Sequence, residues 1–253
     1  MTDVQWQAFQ SFRECFRRRC SAWEDACSGW LPELQRQAAE EGGTPAYPVE
    51  TPVVYNTALD AVCPQDEIRL ILVSDNPGKE EQRERNRKYL VGQAGKLAAR
   101  FFSSHPELGV DFRKNAVVLN KTPVHSARTK QLAFLCRHGG EAFRTLFAQS
   151  QQFMAEETAD LRKALSCPLW IAGYGELRPR GLFAVYAETL ARIRESGADP
   201  ALAENVLLFQ HFSMNRFTID LRSSPYTKNA GNLPLAAQLE MLGKAHRADV
   251  LGW

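Results

Sequence analysis

Apolar residues follow two different spacings along this chain. Four short, continuous apolar runs are typical of strands that are buried on both faces. They are residues 68–73, 116–119, 169–172 and 206–209. Between and after these runs, apolar residues recur every three or four positions, which predicts helices. The helical segments are residues 93–103, 131–165, 182–196 and 235–243. Strands that alternate with helices predict an α/β fold, a three-layer αβα sandwich around a four-stranded parallel sheet.

The first 40 residues carry an aromatic stripe at helical spacing. The stripe predicts a helix that packs against a core, with three consecutive arginines, residues 17–19, on the solvated side. Its members are Phe9, Phe12, Phe16, Cys20, Trp23, Cys27, Trp30 and Leu34. Residues 42–52 are rich in glycine and proline and predict an irregular crossing segment. We expect a single domain over 1–253, with an N-terminal helical extension and crossing segment over 1–52 and an α/β core over 53–253.

The composition is that of a folded protein, because 253 residues with a hydrophobic fraction of 44% are enough for one packed core. No apolar stretch reaches the roughly 18 residues of a membrane span, and the first residues lack the apolar centre of a secretory signal. We therefore expect a cytoplasmic monomer without membrane contact. None of the six cysteines belongs to a C-x-x-C pair, which favours free thiols.

One segment carries charge of a single sign, although the net charge of the chain is only +2. Residues 112–140 contain no acid but several basic residues. These are Arg113, Lys114, Lys121, Arg128, Lys130, Arg137, His125 and His138. The block is either a solvated face or a surface that binds phosphates, since Lys and Arg that neutralise phosphates release condensed counterions.

Polar residues follow each of the four predicted strands. They occupy positions 74–78, 120–123, 173–175 and 210–213. In open α/β sheets, ligands bind beyond the carboxyl ends of the strands, so we expect these groups to face one crevice. There Asp75 could act as a general base or stabilise a developing positive charge, and Asn76 could hold a water molecule. The alternative is a simple turn, because Asp, Asn, Pro and Gly all favour turns.

Other chemistries fit the sequence less well. Residues 92–97 lack the spacing of a phosphate-binding loop, and no Gly-x-Ser-x-Gly elbow is present. The five histidines show no metal-ligand spacing. We therefore expect neither a metal nor another cofactor.

Four motifs, in order along the chain, resemble those of the uracil-DNA glycosylase superfamily. Residues 74–78, Ser-Asp-Asn-Pro-Gly, resemble its first motif, a strand that ends in Gly-x-Asn-Pro-Gly or Gly-Glu-Ala-Pro-Gly. Residues 91–95 resemble the Phe-Val-Gly-x-Ala-Gly stretch of the iron–sulfur branch. Residues 117–120 resemble the strand whose terminal Asn reads the base, and residues 211–213 resemble the His-Pro-Ser motif.

The resemblance covers about residues 68–243 and implies an enzyme that flips a base out of DNA and hydrolyses its glycosidic bond. It implies that Asp75 stabilises the sugar cation or activates water, that Asn76 orients this water, and that His211 donates a hydrogen bond to the base oxygen. It further implies that Asn120 pairs with the base edge. The other residues implied to bind the substrate are Ser74, Pro77, Gly78, Tyr89, Leu90 and Ser213.

The expected DNA contacts come from the basic block and from the loop after the fourth strand. Lys121, Arg128 and Lys130 would bind phosphates. Met214, Asn215 and Arg216 would project as a wedge that fills the space left by the flipped base, with Arg216 on a flanking phosphate. The alternative is that His211 is a core histidine beside a helix start and that Met214 is packed inside.

Several positions depart from the family pattern. Ser74 stands where the first motif has Gly, and Phe212 stands where the last motif has Pro. Leu90 stands where the family has a base-stacking Phe, with Tyr89 beside it as a substitute. Val124 stands where the iron–sulfur branch has Cys, so no cluster is expected.

The expected function is therefore that of a cluster-free glycosylase acting on uracil or another deaminated base in DNA. The alternatives are a non-catalytic or differently specialised nucleic-acid-binding relative, and a small-nucleotide hydrolase.

Overall fold

A computed structural model describes residues 1–228 and 230–253 of the chain. The strands are β1 (Leu70–Ser74), β2 (Ala116–Asn120), β3 (Leu169–Ala172) and β4 (Val206–Phe209). The helices are α1 (Asp3–Cys27), α2 (Leu31–Glu41), α3 (Gln93–Ser104), α4 (Leu132–His138), α5 (Gly140–Leu165), α6 (Ala184–Glu195), α7 (Leu202–Asn205), α8 (Arg216–Ser223) and α9 (Leu235–Leu251).

The four strands form one parallel sheet with the order β2-β1-β3-β4. Its register pairs Ser74 at the end of β1 with Asn120 at the end of β2. Almost every strand residue is buried, as continuous apolar runs require when helices cover both faces. The predicted α/β sandwich with a four-stranded parallel sheet is confirmed.

Aromatic side chains join one helical layer to the sheet. Trp170 on β3 and Phe209 on β4 project from the same face, and both contact Phe217 of α8. Phe102 of α3 packs against Trp170 with ring centroids 5.5 Å apart. Gly243 of α9 lies so close to β4 that a Cβ there would come within 2.6 Å of the Leu207 side chain. The other layer contains α5, which packs against α1 and α6.

The N-terminal stripe belongs to the same hydrophobic core as the sheet. Phe16 contacts Tyr55 and Phe153, and Trp23 meets the edge of Phe153. Every member of the stripe is buried except Trp30, which is half-buried where the chain turns from α1 into α2. Residues 17–19 are exposed, as predicted. The extension is therefore part of the packed structure.

Glycines divide the predicted helical segment 131–165. Gly139 packs so tightly that a Cβ would come within 2.4 Å of Phe143, and Gly140 has φ +62°. This left-handed backbone ends α4 and starts α5 in a new direction. The six cysteines are free thiols, as predicted. Among the helices that the structure describes, none has an apolar stretch long enough to cross a membrane.

Candidate active-site cleft

A cleft of about 430 Å³ lies at the carboxyl ends of the strands. It is lined by most of the predicted catalytic and base-binding positions, namely Ser74, Asp75, Asn76, Gly78, Leu90, His211 and Ser213. The loops after β1, β2 and β4 and the start of α3 form its walls. A second cavity, of about 400 Å³ at the opposite end of the sheet, is lined by Phe102, Trp170 and other largely apolar side chains. The predicted crevice is therefore present in part: it gathers the polar ends of β1 and β4, whereas no residue of 120–123 or 173–175 lines it.

Three neighbours fix the carboxylate of Asp75 at the wall of the cleft. Its Oδ1 accepts a hydrogen bond from Nζ of Lys121 at 2.7 Å, and its Oδ2 accepts one from the Thr129 hydroxyl at 3.3 Å. Gly173, with φ +83°, makes room for it, because a Cβ there would come within 2.4 Å of Oδ1. The Asp75 side chain remains 13% exposed, so one side of the carboxylate can meet a ligand.

Lys121 is fully buried, and this overturns its predicted role as a phosphate contact. Its ammonium group donates to Asp75 and to the Ala172 carbonyl, and it lies 5.1 Å from the centre of the Phe183 ring. Burial lowers the pKa of Lys121, and the adjacent Asp75 carboxylate opposes that shift. The position directly after β2 turns this side chain under the sheet edge, where DNA cannot reach it.

His211 reaches the cleft from β4 and contacts the end of β1. Its Nδ1 accepts a hydrogen bond from the Ser213 backbone N–H at 3.1 Å, so in the neutral ring the proton resides on Nε2. Nε2 then donates to the Ser74 hydroxyl at 2.8 Å. Burial lowers the pKa of His211; the Asp75 carboxylate opposes this shift, and the Lys121 charge adds to it. The arrangement favours a neutral imidazole that presents a hydrogen-bond donor at the cleft.

The turn that carries Asn76 is braced from below. The Asn76 amide donates to the Pro77 carbonyl and to Ser126, and its Oδ1 accepts no hydrogen bond from the residues that the structure describes. The Pro77 carbonyl also accepts a hydrogen bond from Nδ1 of His125 at 2.8 Å. Tyr47 donates to the other ring nitrogen at 2.8 Å. Burial lowers the pKa of His125 to about 4, so this brace is neutral at physiological pH.

Gly78 and Glu81 shape the floor of the turn. Gly78 does not need a left-handed backbone, and an added Cβ would meet nothing within 4 Å, so its contribution is open space in the cleft. Its N–H donates to the buried Glu81 carboxylate at 3.0 Å. Burial raises the pKa of Glu81 to about 7, against the backbone N–H groups of residues 78, 90 and 91. The burial of Glu81 could not be predicted from the sequence, because Glu81 lies in the highly charged stretch 79–88, which is typical of a solvated segment.

Tyr89 and Leu90 differ in their position relative to the cleft. Tyr89 is buried and its hydroxyl donates to the Val54 carbonyl at 2.5 Å, so its predicted use as a stacking platform is wrong. Leu90 does line the cleft, with an unusual φ of +50°. Its carbonyl oxygen accepts a hydrogen bond from the Arg113 guanidinium at 2.6 Å. The same oxygen lies so close to Gly95 that a Cβ there would come within 1.5 Å of it. This contact explains the second glycine of the 91–95 motif.

Asn120 is buried beside Ser74, and neither its amide nitrogen nor its carbonyl oxygen has a hydrogen-bond partner among the described residues. Leaving such a group unpaired costs about 1–3 kcal/mol. Asn120 does not line the cleft, unlike its register partner Ser74. Its predicted pairing with a base edge remains a prediction.

The loop after β4 presents Met214 to solvent. The Met214 side chain is 77% exposed, which contradicts the alternative that it is packed inside. Met214 and Asn215 both have a left-handed backbone, with φ of +55° and +57°, a conformation that costs a non-glycine residue about 1 kcal/mol or more. Phe212, in the place of the family's Pro, anchors this loop by stacking on Phe217 at 4.4 Å.

The remaining predicted DNA contacts are all on the surface. Arg128, Lys130, Asn215 and Arg216 are exposed, and Arg128 also lines the cleft. Pro77 is buried beneath the turn and meets the cleft only through its neighbours. The basic block is therefore neither a uniform solvated face nor a uniform phosphate surface, since Lys121 and His125 lie in the interior.

Two further site residues escaped sequence reasoning. Thr129 carries no motif, and only the folded chain brings it to Asp75. Gly173 follows β3, and its position at a strand end does not reveal that it leaves space for the Asp75 carboxylate.

No protein-family model, curated protein or solved structure matches this chain.

Proposed function

We propose that this protein is a DNA glycosylase that hydrolyses the N-glycosidic bond of uracil or another deaminated base, after the base has been flipped into the cleft. One observation carries the proposal. The carboxylate of Asp75 and the neutral imidazole of His211 line the same cleft, and they come from strands that are not neighbours in the sheet. Glycosidic cleavage needs such a pair, because positive charge develops on the sugar while negative charge develops on the departing base.

Asp75 and Asn76 supply the sugar side of this reaction. The fixed carboxylate of Asp75 stabilises the cationic sugar. Asn76 cannot accept a proton, but its unpaired Oδ1 can accept a hydrogen bond from water and hold that water for attack at C1′. Addition of this water replaces the base at C1′, and the base leaves with the bonding electron pair.

His211 supplies the base side. Its Nε2–H, which donates to the Ser74 hydroxyl in this structure, would donate a hydrogen bond to a base carbonyl oxygen. This bond would stabilise the negative charge that builds up on that oxygen. Ser74, in the place of the family's Gly, holds the ring in this orientation. A neutral donor suffices for this role, which agrees with the lowered pKa of His211.

The surface around the cleft suits a nucleic acid. Met214 is apolar, unbranched and exposed beside the cleft residue Ser213, as a wedge between bases requires. Arg128, Lys130 and Arg216 offer exposed positive charges for phosphates. The proposed enzyme is a cytoplasmic monomer that needs no cofactor.

A cleavage assay tests the proposal. Oligonucleotides that contain uracil, hypoxanthine or xanthine, as single strands and as duplexes, are incubated with excess protein, and abasic sites are then cleaved with alkali. We expect site-specific strand cleavage for at least one base. Binding to these oligonucleotides without cleavage would favour a non-catalytic relative, and hydrolysis of free deoxynucleotides alone would favour a small-nucleotide hydrolase.

A further inference from the structure

A fully buried ammonium group touches the carboxylate at the centre of the cleft. The Lys121 side chain has no exposed surface, and its Nζ lies 2.7 Å from Oδ1 of Asp75. A buried charge is costly unless it is paired and hydrogen-bonded, and here the Ala172 carbonyl at 2.6 Å and the Phe183 ring complete its surroundings. The chain thus builds a specific enclosure for one positive charge directly behind Asp75.

The backbone supports the same geometry. The Lys121 N–H donates to the carbonyls of Ser74 and Asp75, at 3.0 and 3.1 Å, so the ends of β1 and β2 are tied together at this point. Gly173 supplies the third side, since any side chain there would displace the carboxylate. Asp75 is therefore held from its backbone, from Oδ1 by Lys121 and from Oδ2 by Thr129.

We propose that Lys121 is a positioning residue, whose buried ammonium holds the Asp75 carboxylate in one orientation, so that Asp75 serves as a fixed negative charge and not as a proton acceptor. This inference rests on the proposed function. The water at the sugar is then positioned by Asn76, and its proton is lost to solvent after attack. A carboxylate that already accepts hydrogen bonds from an ammonium group and a hydroxyl is a poor general base, but it is a well-oriented electrostatic stabiliser.

Other charged groups lie near this pair and must be considered in any pH experiment. His211 faces it from the end of β4, and Glu176, in the turn after β3, acts on Lys121 from a distance. Asp75 is the group that most strongly favours the charged form of Lys121.

The first experiment measures single-turnover excision and DNA binding for Lys121→Met, Asp75→Asn and the double variant. Lys163→Met, at an exposed lysine near the end of α5 and outside the proposed site, is the matched control. We expect Lys121→Met to lower the single-turnover rate roughly tenfold to a hundredfold with binding to DNA unchanged, since misplacement of a catalytic group has effects of this size.

The double variant decides whether Lys121 acts through Asp75. It carries neither charge, so it folds without an unpaired buried ion even if Lys121→Met alone does not. If the inference holds, adding Lys121→Met to Asp75→Asn lowers the rate no further. Rate losses that multiply in the double variant would overturn it.

A second experiment does not depend on activity. The NMR signals of the Lys121 side chain are followed during a pH titration of the wild type, of Asp75→Asn and of the control Asp160→Asn, whose acid is exposed on α5. Loss of the Asp75 charge should lower the pKa of Lys121 further, whereas the control should not change it. An unchanged Lys121 titration in Asp75→Asn would overturn the ion pair itself. If the wild type excises no base, the proposed function fails, while this titration still reports whether Lys121 and Asp75 form an ion pair.

Discussion

Two buried ion pairs in this molecule have nearly the same chemistry but different surroundings. Arg162 on α5 pairs with Asp199 in the loop before α7, and both side chains are almost wholly buried. The second oxygen of Asp199 accepts the N–H of Ala201 at 3.2 Å, so both carboxylate oxygens are used inside the protein. Lys121 and Asp75 form the other pair, but Asp75 lines the cleft and keeps part of its surface exposed.

The difference shows what marks a functional charge. Burial and pairing alone are common to both sites, and a buried ion pair is weak evidence even for stability. Both oxygens of Asp75 also accept hydrogen bonds, but its side chain stays partly exposed in the cleft, next to a neutral histidine and an amide oxygen that has no partner among the described residues. We expect the pair of Asp199 to support the fold and the pair of Asp75 to support catalysis, and four substitutions can test this division.

The largest expected effect is on stability, at the pair remote from the cleft. Asp199→Ala leaves Arg162 buried without its counterion, and breaking a buried pair in this way costs about 3–5 kcal/mol. Urea unfolding should show this loss, while the excision rate of the folded variant stays unchanged. Asp160→Ala, at an exposed acid on the same helix as Arg162, should change neither quantity. A stability loss below about 1 kcal/mol for Asp199→Ala would show that this pair does not stabilise the fold.

At the cleft, the expected effect falls on the rate. Asp75→Asn retains the shape of the side chain and an acceptor for Lys121, and it should lower single-turnover excision about a hundredfold, the usual scale for a positioned catalytic group. Asn is preferred to Ala here, because Ala would leave Lys121 buried without any partner and confuse stability with catalysis. Binding to DNA should be nearly unchanged. Full activity in Asp75→Asn would leave this pair no different from that of Asp199.

Met214 tests whether the strained loop beside the cleft belongs to function. Met214→Ala should lower the ratio of duplex to single-strand excision rates about tenfold, because only a duplex requires a base to be unstacked and its place filled. Met241→Ala, at another exposed methionine on α9, is the control. An unchanged ratio, with a lower melting temperature, would assign Met214 to packing.

The smallest expected effect comes from a neutral buried pair, which gives the baseline for the charged ones. Tyr47→Phe removes the hydrogen bond to His125 and should lower the free energy of unfolding by about 1 kcal/mol at pH 7. The pKa of His125 is lowered from 6.5 to about 4, so its neutral form stabilises the fold above pH 6.5, and this stability is lost as the pH falls towards 4. Because burial is the main cause, the acid loss should persist in Tyr47→Phe. If Tyr47→Phe abolishes the acid loss, the hydroxyl and not burial controls His125.

Local patterns in the sequence determined the architecture and the position of the cleft. The continuous apolar runs and the helical spacing specify strands and helices through contacts between near neighbours, so their boundaries follow the predictions to within a few residues at most positions. The polar strand ends, Asp75, Asn76 and His211 among them, meet because parallel strands bring their carboxyl ends to one edge. Both results require only the period of the pattern and the geometry of a parallel sheet.

Only the tertiary structure decided which individual side chains belong to the site. The sequence placed Lys121 in a basic block, yet its partner Asp75 lies 46 positions earlier and the pair forms inside the protein. Of the neighbours Tyr89 and Leu90, only Leu90 lines the cleft, together with Glu81 and Thr129, while Gly173 leaves room for the Asp75 carboxylate. The strand order β2-β1-β3-β4 and the bond between Ser74 and His211 likewise join residues far apart in the chain. A hydrophobic period shows which face of an element is buried, but the direction and partner of one polar side chain depend on the whole packed molecule.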